Sequence, residues 1–253
     1  MPPISGVIIA YNEEKYIEQC IRSLQKVADE VVVVDSCSTD RTPDICKKLG
    51  VVFYEQAFLG YIEQKNFALQ KASHDHVLSL DADEALSESL VASILKVKEN
   101  WIHDGYCFNR RNRFCGHWLR YTNHYPDRKL RLWDRNKGHW GGVNPHDKVI
   151  MDEPASVGFL KGDLLHWMCD SFEEHLDTIN RFSTIAAREA FNRGTACSAW
   201  KVVYKTIWRF VRNYFIKLGF LDGYMGFVAS YQDAFLCFQK YVKLRYLIRE
   251  KTG

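Results

Sequence analysis

Nowhere in the 253 residues do ~18 apolar residues run without interruption, so no segment reads as a helix that crosses a bilayer. The nearest approach, 219–238, is broken by Asp222 and Asp233. No basic-then-apolar leader opens the chain; Met1-Pro2-Pro3 runs directly into an apolar segment, the start expected of a cytosolic protein. The eight cysteines, at 20, 37, 46, 107, 115, 169, 197 and 237, include no CxxC pair. That excludes the usual zinc and redox motifs and leaves reduced, mostly buried thiols as the expectation. The stretch 10–15 has no glycine, so the Gly-rich phosphate loop usual near the first strand of a nucleotidyltransferase is missing. Net charge is only +3, and no compact nucleic-acid recognition motif occurs. Internal repeats and low-complexity linkers are missing too.

What remains is the balance of a folded protein, 47% hydrophobic and 26% charged, with enough length for a real core. The aromatic share of 14% is high and weighted to the second half.

The first hundred residues alternate strand and helix patterns. Residues 4–10 read as a buried strand. A helix is expected from Asn12 to about Val27, with Ile17, Cys20, Ile21 and Leu24 on one face. Four consecutive valines, 31–34, mark a central parallel strand. Further helices are expected at 42–49, 63–72 and 87–98, and further strands at 51–54 and 76–80. This order implies a parallel sheet covered by helices on both faces, with ligands beyond the carboxyl ends of the strands. The acidic clusters sit at those ends, Asp35 after the second strand and Asp81-Ala82-Asp83-Glu84 after the fourth.

Two carboxylates where a buried strand turns into a loop can grip a hard cation together with a phosphate. Acidic strand ends are also common as plain solvated turns. Asp35 can accept hydrogen bonds from a base or ribose. Thr39 and Asp40 suit capping of the helix that follows, but Asp35 is too early for a cap.

Three segments, Ile8-Ile9-Ala10-Tyr11-Asn12-Glu13, Val33-Val34-Asp35-Ser36-Cys37-Ser38-Thr39-Asp40-Arg41-Thr42 and Leu80-Asp81-Ala82-Asp83-Glu84, resemble in order and spacing the family 2 glycosyltransferases of the GT-A fold. The remainder resembles the bacterial subgroup of lipopolysaccharide core glucosyltransferases that act on an inner-core heptose. The resemblance implies an α/β nucleotide-binding sheet with a helical C-terminal extension. It implies that Ala10, Tyr11 and Glu13 line a nucleotide pocket and that Asp35 contacts the base, usually uracil. Lys65, in Glu63-Gln64-Lys65-Asn66, matches a basic position near the nucleotide phosphates, though a solvated helix lysine reads the same way. Asp83 is implied as the principal ligand of Mg²⁺ or Mn²⁺, with Asp81 nearer the ribose. Ser36-Cys37 departs from the Asp-Gly of many members.

In Trp140-Gly141-Gly142-Val143-Asn144-Pro145-His146-Asp147, Asp147 stands where the subgroup usually has a glutamate after histidine. A sugar hydroxyl needs a base to take its proton, and a carboxylate supplies one. A capped surface turn is the competing reading. His166, in an apolar strand before Trp167, matches a histidine often present in the family and is read as a ligand of the metal or the leaving diphosphate; a packed core histidine is the alternative.

From Asp170 the chain is expected to be helical. Trp200, Val203, Ile207, Phe210 and Tyr214 form one stripe beside Lys201, Lys205, Arg209 and Arg212, and no acid occurs between Glu189 and Asp222. Such a helix suits an anionic membrane surface, or packs on the core with a solvated basic side. The division expected is a glycosyltransferase domain at 1–168, its nucleotide half 1–100 and acceptor half 101–168, followed by a helical region at 169–253. The function implied is inverting transfer of glucose from UDP-glucose to a lipopolysaccharide-core acceptor, without nucleic acid, at the cytoplasmic face of the membrane. Alternatives are another surface-glycan transferase or a noncatalytic sugar- or membrane-binding module.

Overall fold

A computed structural model of the chain describes residues 1–143 and 146–252. Two compact units result, one of residues 1–110 and 127–166, the other of 111–126 and 167–253.

The first unit begins with strand and helix in alternation. β1 (Ile4–Ala10), α1 (Ile17–Leu24), β2 (Glu30–Asp35), α2 (Thr42–Lys48), β3 (Val52–Glu55), α3 (Tyr61–Lys71) and β4 (His76–Asp81) follow one another. The short β5 (Glu84–Leu86) and α4 (Glu88–Glu99) complete this half. Along the chain then come β6 (Gly105–Phe114), β7 (His117–Trp118), β8 (Asp127–Asp134), β9 (Gly138–Val143), β10 (His146–Met151) and β11 (Val157–Cys169), of which β7 and the C-terminal ends of β6 and β11 belong to the second unit. The main sheet runs β3-β2-β1-β4-β8-β6-β11-β5, with β7 on β6, while β9 and β10 form a separate antiparallel ribbon. β1 to β4 are parallel; β8 joins β4 antiparallel. The order reverses at β1, since α3 carries the chain past it to β4, and such a switch point opens a crevice at the strand ends.

The valine run is buried on both faces because alternate side chains of a strand point opposite ways. Val31 and Val33 join Ile4, Ile8, Leu78 and Leu80 under α1 and α4. Val32 and Val34 join Val7 and Val77 under α3, with Trp133 and Trp140.

The expected boundary that moves furthest is the start of the first helix. α1 starts at Ile17, not Asn12. The backbone N–H groups of Asn12, Glu13 and Glu14 donate instead to Ser38 Oγ, Thr42 Oγ1 and Asp40 Oδ2, in the loop after β2 and at the first residue of α2. Donors spent on a neighbouring loop need no helix, and Asn12 takes a left-handed φ of 54°, which asparagine tolerates.

The second unit is helical: α5 (Phe172–Asn192), α6 (Ala199–Val211) and α7 (Gly223–Thr252). Ser171 and Ser198 cap α5 and α6, each accepting a backbone N–H three residues on. A π-helical turn, Arg212–Ile216, ends α6, so the expected stripe loses its register before Tyr214. The segment 111–126 belongs with these helices. Phe114 and Leu119 pack with Cys169 and Ala229, and Asp222 accepts the backbone N–H groups of Arg120 and Tyr121.

Candidate active site

Strand register sets the site. Ala10 pairs with Asp35 and Ile9 with Asp81, so three strand ends finish in one row. The first two loops are laced together. Asn12 Oδ1 accepts the N–H of Thr39 at 2.8 Å, and the N–H of Ser36 donates to the carbonyl of Ala10 at 2.8 Å. Asp35 is buried, and its carboxylate accepts the N–H and the hydroxyl of Ser38 at 2.7 and 2.5 Å. Its observed work is to shape the turn that carries Cys37, whose φ of 63° is the conformation a glycine adopts without strain. Ala10 is buried beneath this loop pair, Glu13 is half-buried and Tyr11 is exposed at the rim.

The centre of the site is a largely buried set of charges drawn from six elements. α3 supplies Lys65, which is 4% exposed and therefore not a solvated lysine. Its Nζ lies 2.7 Å from Asp81 Oδ1 at the end of β4 and 2.7 Å from Asp147 Oδ2 on β10. The ring of Trp140, on β9, lies 4.3 Å from the same Nζ. From β8, Arg131 reaches Asp81 at 2.9 Å and Glu84 at 3.4 Å. Glu84 is wholly buried, accepts the backbone N–H of Asp81 and pairs with Arg110, which also holds Asp127. Burial would raise the Asp81 carboxyl, but Lys65 and Arg131 outweigh it and hold it well below the usual carboxylate range. Asp81 therefore stays an anion flanked by two cations.

Asp83 parts company with Asp81. It sits in the two-residue turn between β4 and β5, and β5 pairs with β11 at Glu84 and His166. That pairing brings His166 Nε2 to 3.3 Å from Asp83 Oδ2, with both side chains part-exposed. Among the described residues no three His, Cys, Asp or Glu side chains gather closely enough to hold a metal by themselves. One carboxylate and one imidazole nonetheless suit a hard divalent cation that takes its other ligands from a diphosphate and water.

All the expected site residues lie in the first unit. Lys65, Asp81 and Asp147 come together; Asp83 and His166 form a second pair; Ala10, Tyr11, Glu13 and Asp35 lie on the laced loops. Asn144 and Pro145 of the expected base motif fall outside the described residues. Sequence reasoning overlooked Arg131, Arg110 and the buried role of Glu84. A signal existed, since Arg131 stands between Leu130 and Leu132 in a strand pattern, and a buried cation needs an acid partner.

A model of the family described as Glycosyl transferase family 2 matches residues 5–154. An uncharacterized glycosyltransferase of Rickettsia typhi is 30% identical over 265 residues, which cover 98% of this chain and 88% of that protein. A lipopolysaccharide core biosynthesis glycosyltransferase, LpsC of Rhizobium meliloti, is 29% identical over 252 residues, covering 96% of this chain and 92% of that one. The crystal structure of S. aureus TarS in complex with UDP-GlcNAc is similar with a TM-score of 0.49 and 16% identity, covering 99% of this chain and 91% of that one.

Proposed function

This chain belongs to glycosyl transferase family 2, with that family's GT-A fold, and we propose that it transfers glucose, with inversion, from UDP-glucose to a lipopolysaccharide-core saccharide. The name of the Rhizobium meliloti relative supports the acceptor class. One observation carries the reading: Asp147, distant in sequence, meets the strand-end Asp81 through Lys65 at 2.7 Å on each side. An acid-terminated strand, a buried lysine and a second carboxylate at one point suit a phosphate leaving group beside a proton acceptor.

In this reading Asp35, Ala10, Tyr11 and Glu13 bind the nucleoside, and Lys65 and Asp81 orient its ribose and phosphates. Asp147 takes the proton of the acceptor hydroxyl as that oxygen attacks the anomeric carbon from the face opposite the departing diphosphate. Asp83 and His166 hold Mg²⁺ or Mn²⁺. A bound divalent cation neutralises charge growing on the leaving diphosphate. The lipid-anchored acceptor places the enzyme at the cytoplasmic face of the membrane as a peripheral protein.

A donor screen tests this, with several nucleotide-sugars, a core saccharide acceptor, and release of nucleoside diphosphate as the signal. UDP-glucose is expected to give the highest turnover, dependent on Mn²⁺ or Mg²⁺. Asp83→Ala is expected to abolish most of the metal-dependent turnover with the fold intact, because Asp83 lies in a turn outside the core. Normal turnover by this variant at ordinary metal concentration would remove Asp83 from the metal site.

Asp35→Ala is expected to weaken UDP binding by roughly 1.5–3 kcal/mol through loss of a charge-assisted hydrogen bond. Part of the loss comes from the loop, because Ser38 loses both of its contacts with the carboxylate. Titration calorimetry reads the result, and an unchanged UDP affinity would refute the donor role.

A further inference from the structure

The second unit is turned partly inside out. On α6 the large apolar residues at the helical spacing of a core face point to solvent. Trp200 is 74% exposed and Ile207 58%, and Val203, Tyr204 and Trp208 are exposed with them. The one buried residue of the helix is Val202. A stripe at i, i+3, i+4, i+7 and i+8 normally faces a protein interior. The turn between α6 and α7 continues the pattern with Phe215, Ile216, Leu218, Phe220 and Leu221 all exposed, and Tyr224 opens α7 at 74% exposure.

The turn is built to hold this shape. Leu218 takes a left-handed φ of 56°. A Cβ at Gly226 would lie 1.9 Å from the Gly219 carbonyl oxygen, so the two backbone segments touch where no side chain fits. Lys217 O accepts the N–H of Thr122, and Asp222 is consumed by the backbone of Arg120 and Tyr121.

Charge says what covers the face. From Ala190 through Arg249 the chain carries ten lysines and arginines and two aspartates. Both aspartates are spent internally, Asp222 as above and Asp233 on Asn213 and His124. A second copy of this surface would bring like charges together. An anionic lipid surface is complementary, and tryptophan and tyrosine at the border of an apolar face are the side chains favoured at the headgroup level. No helix among the described residues is long and apolar enough to cross a membrane.

We propose that the α6–α7 hairpin enters the boundary between headgroups and acyl chains of an anionic bilayer, with Phe215, Ile216, Phe220 and Leu221 leading and Trp200, Tyr204 and Trp208 lying along the interface. This deepens the membrane part of the function proposed above and rests on it for its purpose, while vesicle binding and sugar transfer are measured apart. Apolar insertion does the holding, and the basic residues add attraction that salt screens. Arg209 contributes less than its sequence position suggests, because it also faces Asp233 and Cys237 across the hairpin.

Co-sedimentation with vesicles of phosphatidylcholine and phosphatidylglycerol tests the proposal on the full chain. Wild type is expected to pellet at low salt and to stay largely bound in high salt. Phe215→Ser, Ile216→Ser and Leu221→Ser together are expected to lower partitioning about tenfold or more with UDP binding unchanged. Lys201→Glu, Lys205→Glu and Arg209→Glu together are expected to weaken binding at low salt only. Wild type left in the supernatant, or a serine variant that binds like wild type, overturns the proposal. So does a lipid-free dimer that the serine variant cannot form. If the serine variant fails to fold, the unsubstituted chain still decides. Brominated phosphatidylcholine must quench its tryptophan emission, and Trp200→Phe must lower the quenched fraction; absence of quenching overturns the proposal.

Discussion

Asp147→Asn is expected to lower sugar transfer by roughly 10²–10⁴ while leaving donor binding near normal, the usual loss when a general base is removed. Asparagine matches aspartate in size but cannot take the proton of the acceptor hydroxyl. The substitution also removes one of the two anions beside Lys65, whose other partner, Asp81, remains at 2.7 Å. The lysine therefore stays paired and the pocket keeps its shape, so the loss reads on the chemical step. Single-turnover transfer with saturating donor measures it, alongside calorimetry with UDP. A variant that transfers at the wild-type rate moves the base elsewhere. Asp127 is then the next carboxylate to test. Glu84 is not, because it is wholly buried and already engaged by Arg110, Arg131 and the backbone of Asp81.

Glu84→Gln is expected to cost about 3 kcal/mol of folding stability, near the low end of what breaking a buried ion pair costs. The low end applies because neither arginine is left alone. Arg131 keeps Asp81 at 2.9 Å, and Arg110 keeps Asp127 at 2.9 Å. The loss is still large because Arg131 Nε and Nη1 are buried without a hydrogen-bond partner among the described residues, so that guanidinium depends on few acceptors. Urea denaturation followed by circular dichroism gives the number. A change below about 0.5 kcal/mol, the size of an ordinary surface substitution, would mean that water reaches the pair and that Glu84 is no structural anchor. The same variant should lower turnover, since the Glu84 carboxylate fixes the backbone at Asp81.

Much of the fold could be read from the sequence because its signals are local. The valine run, the alternation of strand and helix, and acids at strand ends each follow from short-range periodicity. The start of α1 could not be read this way. Asn12-Glu13-Glu14 looks like a helix opening, yet its donors go to a loop about 26 residues ahead, which no local pattern shows. Lys65 was recognisable as a candidate through family resemblance alone; one of its two acid partners, Asp147, lies 82 residues away. Arg131 was missed for the same reason, since its partners lie 50 and 47 residues back. The direction of the α6 stripe was open in principle. An apolar stripe has the same spacing whether it meets a core or a lipid, and only the packing of the rest of the second unit decides between them.

The discontinuity of that second unit has a consequence for the order in which the protein can be made. Arg120 leaves the ribosome 102 residues before the aspartate that accepts its N–H, and Cys115 precedes its neighbour Cys169 by 54. The cluster of Phe114 and Leu119 is therefore complete only after Cys169 and then Ala229 have been made. Meanwhile β8 to β11 are synthesised and can complete the sheet of the first unit. Closing so long a loop adds only slowly to the entropic cost but delays the pairing that repays it. Final assembly of the helical unit thus waits for α7, which is made after α5 and α6. A chain halted before α7 holds a finished sheet and an apolar flap with nothing to close on.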